Sequence, residues 1–290
     1  MKKRALAVII FGLILLSACS TGASKTTDKA ANQKPTTSTV SDKENKTATP
    51  SLFIHGYSGT KGSFGGMLKR LESSGDGIKE LTLTVSSSGE VSAEGELSGE
   101  KNNPMVQILF EDNKNNEWNQ AEWLRGSLEY LKEEYQVSQV NLVGHSMGGV
   151  SSLRYLGAYG NESDLPTVDK FIAIGAPFND FDETPSLAVL DEELANGPTN
   201  KSARYQEYQQ TIGNVSTQIA VLLIGGQLSE TDLSDGTVPL GSALAVNALL
   251  AQNGNPVETK IFEGQNAQHS QLHENTAVDQ AVSEFLWSEE

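Results

Sequence analysis

The chain has 290 residues, of which 37% are hydrophobic, and a formal net charge of −16 at neutral pH. That length and apolar content can bury one sizeable core. The acidic balance, with no basic cluster after residue 4, excludes a nucleic-acid surface, which needs clustered Lys and Arg.

The N-terminus starts with Lys2, Lys3 and Arg4, continues in an apolar run over residues 5–16 and ends in small residues before Cys19, so 1–19 reads as an export signal. The run is too short and too one-sided for a membrane span. Leu16-Ser17-Ala18-Cys19 resembles the lipobox of bacterial lipoprotein signal peptides. That resemblance implies cleavage before Cys19, attachment of acyl chains to it and anchoring at the extracellular face of the cell membrane. Cys19 is the sole cysteine, so no internal disulfide can form and the fold must rely on packing. Residues 20–50 are rich in Thr, Ser, Lys, Ala and Asn and contain no aromatic residue, a composition that cannot offset its ordering entropy. They read as a disordered tether, reaching on the order of 100 Å if extended. A folded domain is expected over 51–290.

The first strand is Ser51-Leu52-Phe53-Ile54, which runs into the glycine-rich loop His55-Gly56-Tyr57-Ser58-Gly59-Thr60-Lys61-Gly62. Lys61 follows Thr60 rather than a glycine, so this is not a phosphate-binding loop. A crossover helix is expected over 64–71. Alternation at 81–85, 91–97 and 105–110 predicts three strands, at least one of them in a hairpin. Trp118, Trp123, Leu124, Leu128 and Leu131 recur at helical spacing, which predicts an amphipathic helix over 117–135 with the tryptophans in the core. A buried strand over 137–143 then leads into Gly144-His145-Ser146-Met147-Gly148, and a helix is expected over 150–156. The next strand is read over 171–177. Residues 179–214 interrupt the alternation with acidic, weakly helical sequence containing Phe181, Leu187, Leu190, Tyr205 and Tyr208, and are expected to form a small cap beside the ligand crevice. A strand over 219–224, the turn Ser234-Asp235-Gly236-Thr237-Val238-Pro239, a helix over 241–251, a strand over 257–262, a loop holding His269 and His273, and a last helix through Trp287 complete the chain. Alternating strands and helices predict an α/β fold, a mostly parallel sheet covered on both faces.

A Gly-x-Ser-x-Gly pattern between strand and helix reads as a nucleophile elbow. The serine sits on a strained turn, and side chains two residues to either side would collide there. Ser146 is then the nucleophile, and the N–H of Met147 lies where an oxyanion would form. Ser146, Asp235 and His269 follow in the order nucleophile, acid, base, each just after an expected strand. Together, His55-Gly56-Tyr57-Ser58-Gly59-Thr60, the Ser146 and Asp235 motifs, and His269-Ser270-Gln271-Leu272-His273-Glu274-Asn275 resemble the cell-surface α/β-hydrolases of Gram-positive bacteria, over about 51–287. The resemblance implies an α/β-hydrolase fold, although the first two strands of the full eight-stranded sheet are missing ahead of Leu52. It also implies a second oxyanion donor, the N–H of Tyr57. Asp232 is the alternative acid and His273 the alternative base. His55 and His145 read as loop-bracing or turn residues. His269 and His273 are four apart but lack a His-Glu-x-x-His motif, so neither metal nor cofactor is expected. The activity expected is a cell-surface serine hydrolase of small-molecule or lipid carboxylic esters. The alternatives are an acyltransferase on the same triad and a catalytically silent surface-binding protein.

Overall fold

The structure, a computed structural model, describes residues 46–184 and 186–288. The export signal, Cys19 and the tether as far as residue 45 lie outside the described residues. Residues 46–50, assigned to the tether on composition, hydrogen-bond to the domain. Thr47 and Asn103 exchange two bonds of 2.8 and 2.9 Å, and Pro50 is buried. Among the described residues no helix is long and apolar enough to cross a membrane.

Eight strands form one sheet: β1 (Ser51–Ile54), β2 (Ile78–Val85), β3 (Val91–Gly95), β4 (Pro104–Phe110), β5 (Gln139–His145), β6 (Thr167–Ile174), β7 (Ala220–Gln227) and β8 (Val257–Glu263). Their order is β3-β2-β4-β1-β5-β6-β7-β8, and only the β2–β3 pair is antiparallel. The sheet expected to be two strands short is therefore full. The hairpin β2–β3 fills the edge from within the chain, closed by a turn in which Gly89 takes φ 87° and donates to the carbonyl of Ser86.

Strand side chains alternate between two cores, as period-2 geometry requires. Leu52, Ile54, Leu142, Phe171, Ala173, Val221 and Leu223 face one side, together with Leu124 and Leu128 of α2 (Glu117–Tyr135) and Val150 and Leu153 of α3 (Met147–Tyr159). Phe53, Val143, Ile172, Ile174, Leu222 and Ile224 face the other, with Phe64 and Leu68 of α1 (Lys61–Ser74) and Val278 and Val282 of α8 (Thr276–Trp287). Trp123 is buried, but Trp118, also expected in the core, is 52% exposed. It stands at the second position of α2, with the Arg154 guanidinium 4.3 Å from its ring.

Residues 179–214 contain α4 (Leu187–Asn196) and α5 (Ala203–Thr211). Leu190, Tyr205 and Tyr208 belong to the main core, whereas Phe181 and Leu187 are exposed. The Tyr208 hydroxyl donates to the carbonyl of Val150, and Arg204 grips Glu117 with two bonds of 2.9 and 3.2 Å while Arg154 takes the same carboxylate at 2.9 Å. Burial alone would raise the Glu117 pKa, but the arginines, Arg204 foremost, outweigh it and hold the carboxyl below its ordinary range. The helix expected over 241–251 is two, α6 (Leu240–Ala243) and α7 (Asn247–Asn253). Leu244, Ala245 and Val246 between them are all buried, which one stripe of a continuous surface helix does not allow.

Candidate active site

Because the strands are parallel, the C-terminal ends of β1, β5, β6, β7 and β8 share one edge, and the loops leaving them meet there. Ser146 follows β5 at φ 55°, ψ −125° and α3 starts at the next residue. A side chain at Gly144 would run into the backbone of Gly148 and Gly149, and one at Gly148 into the carbonyls of Ile54 and His55. The two glycines thus permit the turn for the reason the sequence pattern suggests. The loop after β1 closes in from the other side, since a Cβ on Gly56 would stand 2.7 Å from the Cβ of Ser146.

Asp235 leaves the β7 end fully buried, and its Oδ1 accepts the N–H groups of Thr237 (2.9 Å) and Val238 (2.6 Å), which fix the carboxylate plane. Its Oδ2 lies 2.7 Å from Nδ1 of His269, and Nε2 of His269 lies 3.0 Å from Oγ of Ser146. The structure therefore brings Ser146, His269 and Asp235 together in one hydrogen-bonded line. Asp232 is exposed and accepts the Ser234 hydroxyl instead. His273 lies behind the site, bonded to Glu274 at 3.3 Å and packed 4.8 Å from the ring of His145.

Tyr57 has an exposed side chain, and Met147 opens α3. Among the described residues, neither backbone N–H donates to another group of the protein. The positive end of the α3 dipole, next to Ser146, favours an anion. His55 braces its loop: Nδ1–H donates to the carbonyl of Gly56 (2.8 Å) and Nε2 accepts from the N–H of Phe110 (3.0 Å). Burial lowers its pKa, against the bond to Gly56, and keeps it in that neutral form.

Sequence reasoning missed three supporting residues. Gly175 follows β6 at φ 56°, and a Cβ there would stand 3.0 Å from Oδ2 of Asp235 and 3.3 Å from Nδ1 of His269. A Cβ on Gly226 would meet the carbonyl of Ala267 and stand 2.8 Å from the Cβ of Asp235. A glycine at the end of an apolar run was the available signal for both. Arg70 of α1 donates to Asp279 (2.5 and 3.1 Å), Glu274 (2.8 Å) and the carbonyl of His273 (3.0 Å), so it clamps the exit of the histidine loop. No short-range pattern joins residues so far apart in sequence. A cavity of about 450 Å³ lined by Thr47, Pro50, Leu97, Tyr135 and Ser138 holds none of the candidate residues.

A family model described as alpha/beta hydrolase of unknown function (DUF915) matches residues 38–289. Among solved structures, a gene product of Listeria innocua is 31% identical, with a TM-score of 0.77 over 82% of this chain and 93% of that one. A protein of Lactobacillus plantarum, described as a candidate cell surface hydrolase, is 22% identical, with a TM-score of 0.64 over 82% of this chain and 89% of that one. No curated protein matches. On the match across its folded domain and the likeness to the Listeria protein, the chain belongs to this alpha/beta hydrolase family of unknown function.

Proposed function

We propose that the protein is a serine hydrolase of carboxylic esters, held at the outer face of the cell membrane through a lipid-modified Cys19. The observation that carries this reading is the unbroken line from Ser146 Oγ to His269 to Asp235, with bonds of 3.0 and 2.7 Å. In the reaction, Oγ attacks the ester carbonyl carbon while Nε2 of His269 takes its proton. Nδ1–H stays with Asp235, which fixes the tautomer and steadies the imidazolium. The carbonyl oxygen becomes an oxyanion against the N–H groups of Met147 and Tyr57. Collapse expels the alcohol, which leaves with the proton from Nε2, and water repeats the sequence on the acyl-enzyme. Three cap side chains are committed to the core and two, Phe181 and Leu187, stay exposed, which supports a preference for short or medium acyl groups.

The test is turnover of nitrophenyl butyrate by the purified domain and its Ser146→Ala variant. Loss of nearly all turnover in the variant supports the reading, and equal turnover overturns it. Added alcohols that divert the acyl group into a new ester would identify an acyltransferase. For the anchor, a lipoprotein cysteine carries two or more chains, where one chain binds membranes only marginally. Cys19→Ser should therefore release the protein, and retention at the membrane would sink that part.

A further inference from the structure

His145 is the last residue of β5 and the immediate neighbour of Ser146, yet its side chain reaches the loop that carries the base. It is 6% exposed, and its Nε2 lies 3.0 Å from the carbonyl oxygen of His269. A carbonyl can only accept, so Nε2 carries the proton. The ring lies 4.7 Å from that of His269 and stands edge-on to those of His273 (4.8 Å) and Phe64 (6.5 Å). We infer that His145 is a positioning residue, whose Nε2–H bond to the His269 carbonyl ties the base loop to the strand that delivers the nucleophile. The inference rests on the hydrolase reading of Ser146 and His269.

The His269 backbone is held from two sides. Its N–H donates to the carbonyl of Asp235 at 2.8 Å, and its C=O accepts from His145. The same three segments are thus joined twice: by the side-chain line that moves the proton, and by a parallel line of bonds to the His269 backbone that moves nothing. The second line needs a proton on Nε2 of His145, which the neutral Nε2–H tautomer supplies. Burial, reinforced by His269 and His273 close by, pushes its pKa well below the ordinary value. The reactive distance from Nε2 of His269 to Oγ of Ser146 spans two separate loops, and displacement of a reacting group by about 1 Å costs roughly 10²-fold in rate.

The experiment compares His145→Leu, His145→Asn and His145→Gln. The amide nitrogen of Gln can occupy the place of Nε2, whereas that of Asn falls at the place of Nδ1 and cannot reach the carbonyl. Leu and Asn should lower kcat by roughly 10- to 100-fold with KM little changed, and Gln should recover most of the loss. A readout independent of turnover is the low-field proton resonance of His269 Nδ1–H, assigned by its disappearance in Asp235→Asn. It should persist in His145→Gln and broaden or vanish in His145→Leu and His145→Asn. Full kcat and an intact resonance in His145→Leu would overturn the inference. So would activity falling in all three variants only in proportion to their melting temperatures, which would make His145 packing alone. If Ser146→Ala hydrolyses as fast as the parent, the hydrolase reading fails by itself and the resonance still decides what His145 does.

Discussion

The backbone at Ser146 carries a cost that a pair of variants can isolate. Its φ of 55° with ψ of −125° lies where residues with a Cβ are disfavoured. Such strain is worth about 1–3 kcal/mol, and it is retained at functional sites because the surroundings enforce it. Ser146→Ala and Ser146→Gly both remove Oγ, and with it the same 3.0 Å bond to His269, so they differ only in the Cβ. Glycine escapes the strain, but its more flexible unfolded chain takes back about 0.5–1 kcal/mol. Taken at the middle of both ranges, the net is a glycine variant more stable than the alanine variant by about 1 kcal/mol, which for a domain of this size separates their melting temperatures by roughly 2–4 °C. Calorimetry or urea unfolding measures the gap, and ester turnover should be absent from both. A glycine variant no more stable than the alanine variant would refute the strain argument. Stability gained at the site of lost function is the trade expected when geometry is imposed for chemistry.

Asp235→Asn should lower kcat by about 10⁴-fold, since the amide holds the wrong tautomer of His269, while exposed Asp232→Asn stays close to the parent; the reverse ranking in steady-state assays would reassign the acid. His269→Ala should abolish hydrolysis, and His273→Ala should cost far less because its ring braces His145 without touching Ser146; equal losses would make the brace indispensable. Glu117→Gln leaves Arg204 and Arg154 without their shared buried partner and should cost about 3 kcal/mol, seen as a melting point lowered by roughly 6–12 °C; an unchanged melting point would mean that the buried charge cluster does not hold residues 179–214 in place. Stability should also fall with acidity. His55 and His145 are buried and His273 is half-buried, and burial is the chief cause of the lowered pKa of each. Below about pH 6.5 the unfolded chain takes up protons that these rings refuse. At lower pH the Glu117 contribution, complete above the ordinary carboxylate range, is lost as the solution passes its depressed folded value. The urea midpoint should therefore drop continuously from neutrality downward, and a flat midpoint to pH 5 would contradict the burial of the histidines.

What the sequence made legible, and what it hid, divides by the range over which a residue acts. Helix α2 was readable because its apolar spacing is local, and the elbow was readable because the Gly-x-Ser-x-Gly pattern is local, although only Gly144 answers a local collision, with Gly148 and Gly149, while Gly148 makes room for the carbonyls of Ile54 and His55. The order Ser146, Asp235, His269 could be guessed because a parallel sheet puts successive strand ends at one edge. Gly175 and Gly226 could not be assigned the same way. Gly175 takes a positive φ, but it also has the Asp235–His269 pair against it, as Gly226 has the loop at Ala267, and none of these neighbours is local in sequence. Trp118 misled because helical periodicity fixes a face but does not say that Arg154 waits there in place of core. The missing strands misled because the sheet edge accepts any strand of suitable register, and the hairpin supplied it from the middle of the chain.

The histidines carry the same distinction further. By composition His55, His145, His269 and His273 are equivalent, and only their hydrogen-bond partners separate them. His55 spends both ring nitrogens on backbone and His145 gives one to the carbonyl of the base, while His269 alone has an acid on one nitrogen and a hydroxyl on the other. A general base needs both: an acceptor for its second proton, so that the first nitrogen is bare, and a nucleophile within reach of that bare nitrogen. No other described histidine meets the two conditions. The residues that hold this one in place, Asp235 through its backbone carbonyl, His145 through its ring and Arg70 through the loop exit, come from three different elements. The loop between β8 and α8, anchored in the core by Ala267 and Leu272, is thereby fixed at the points that matter to Ser146.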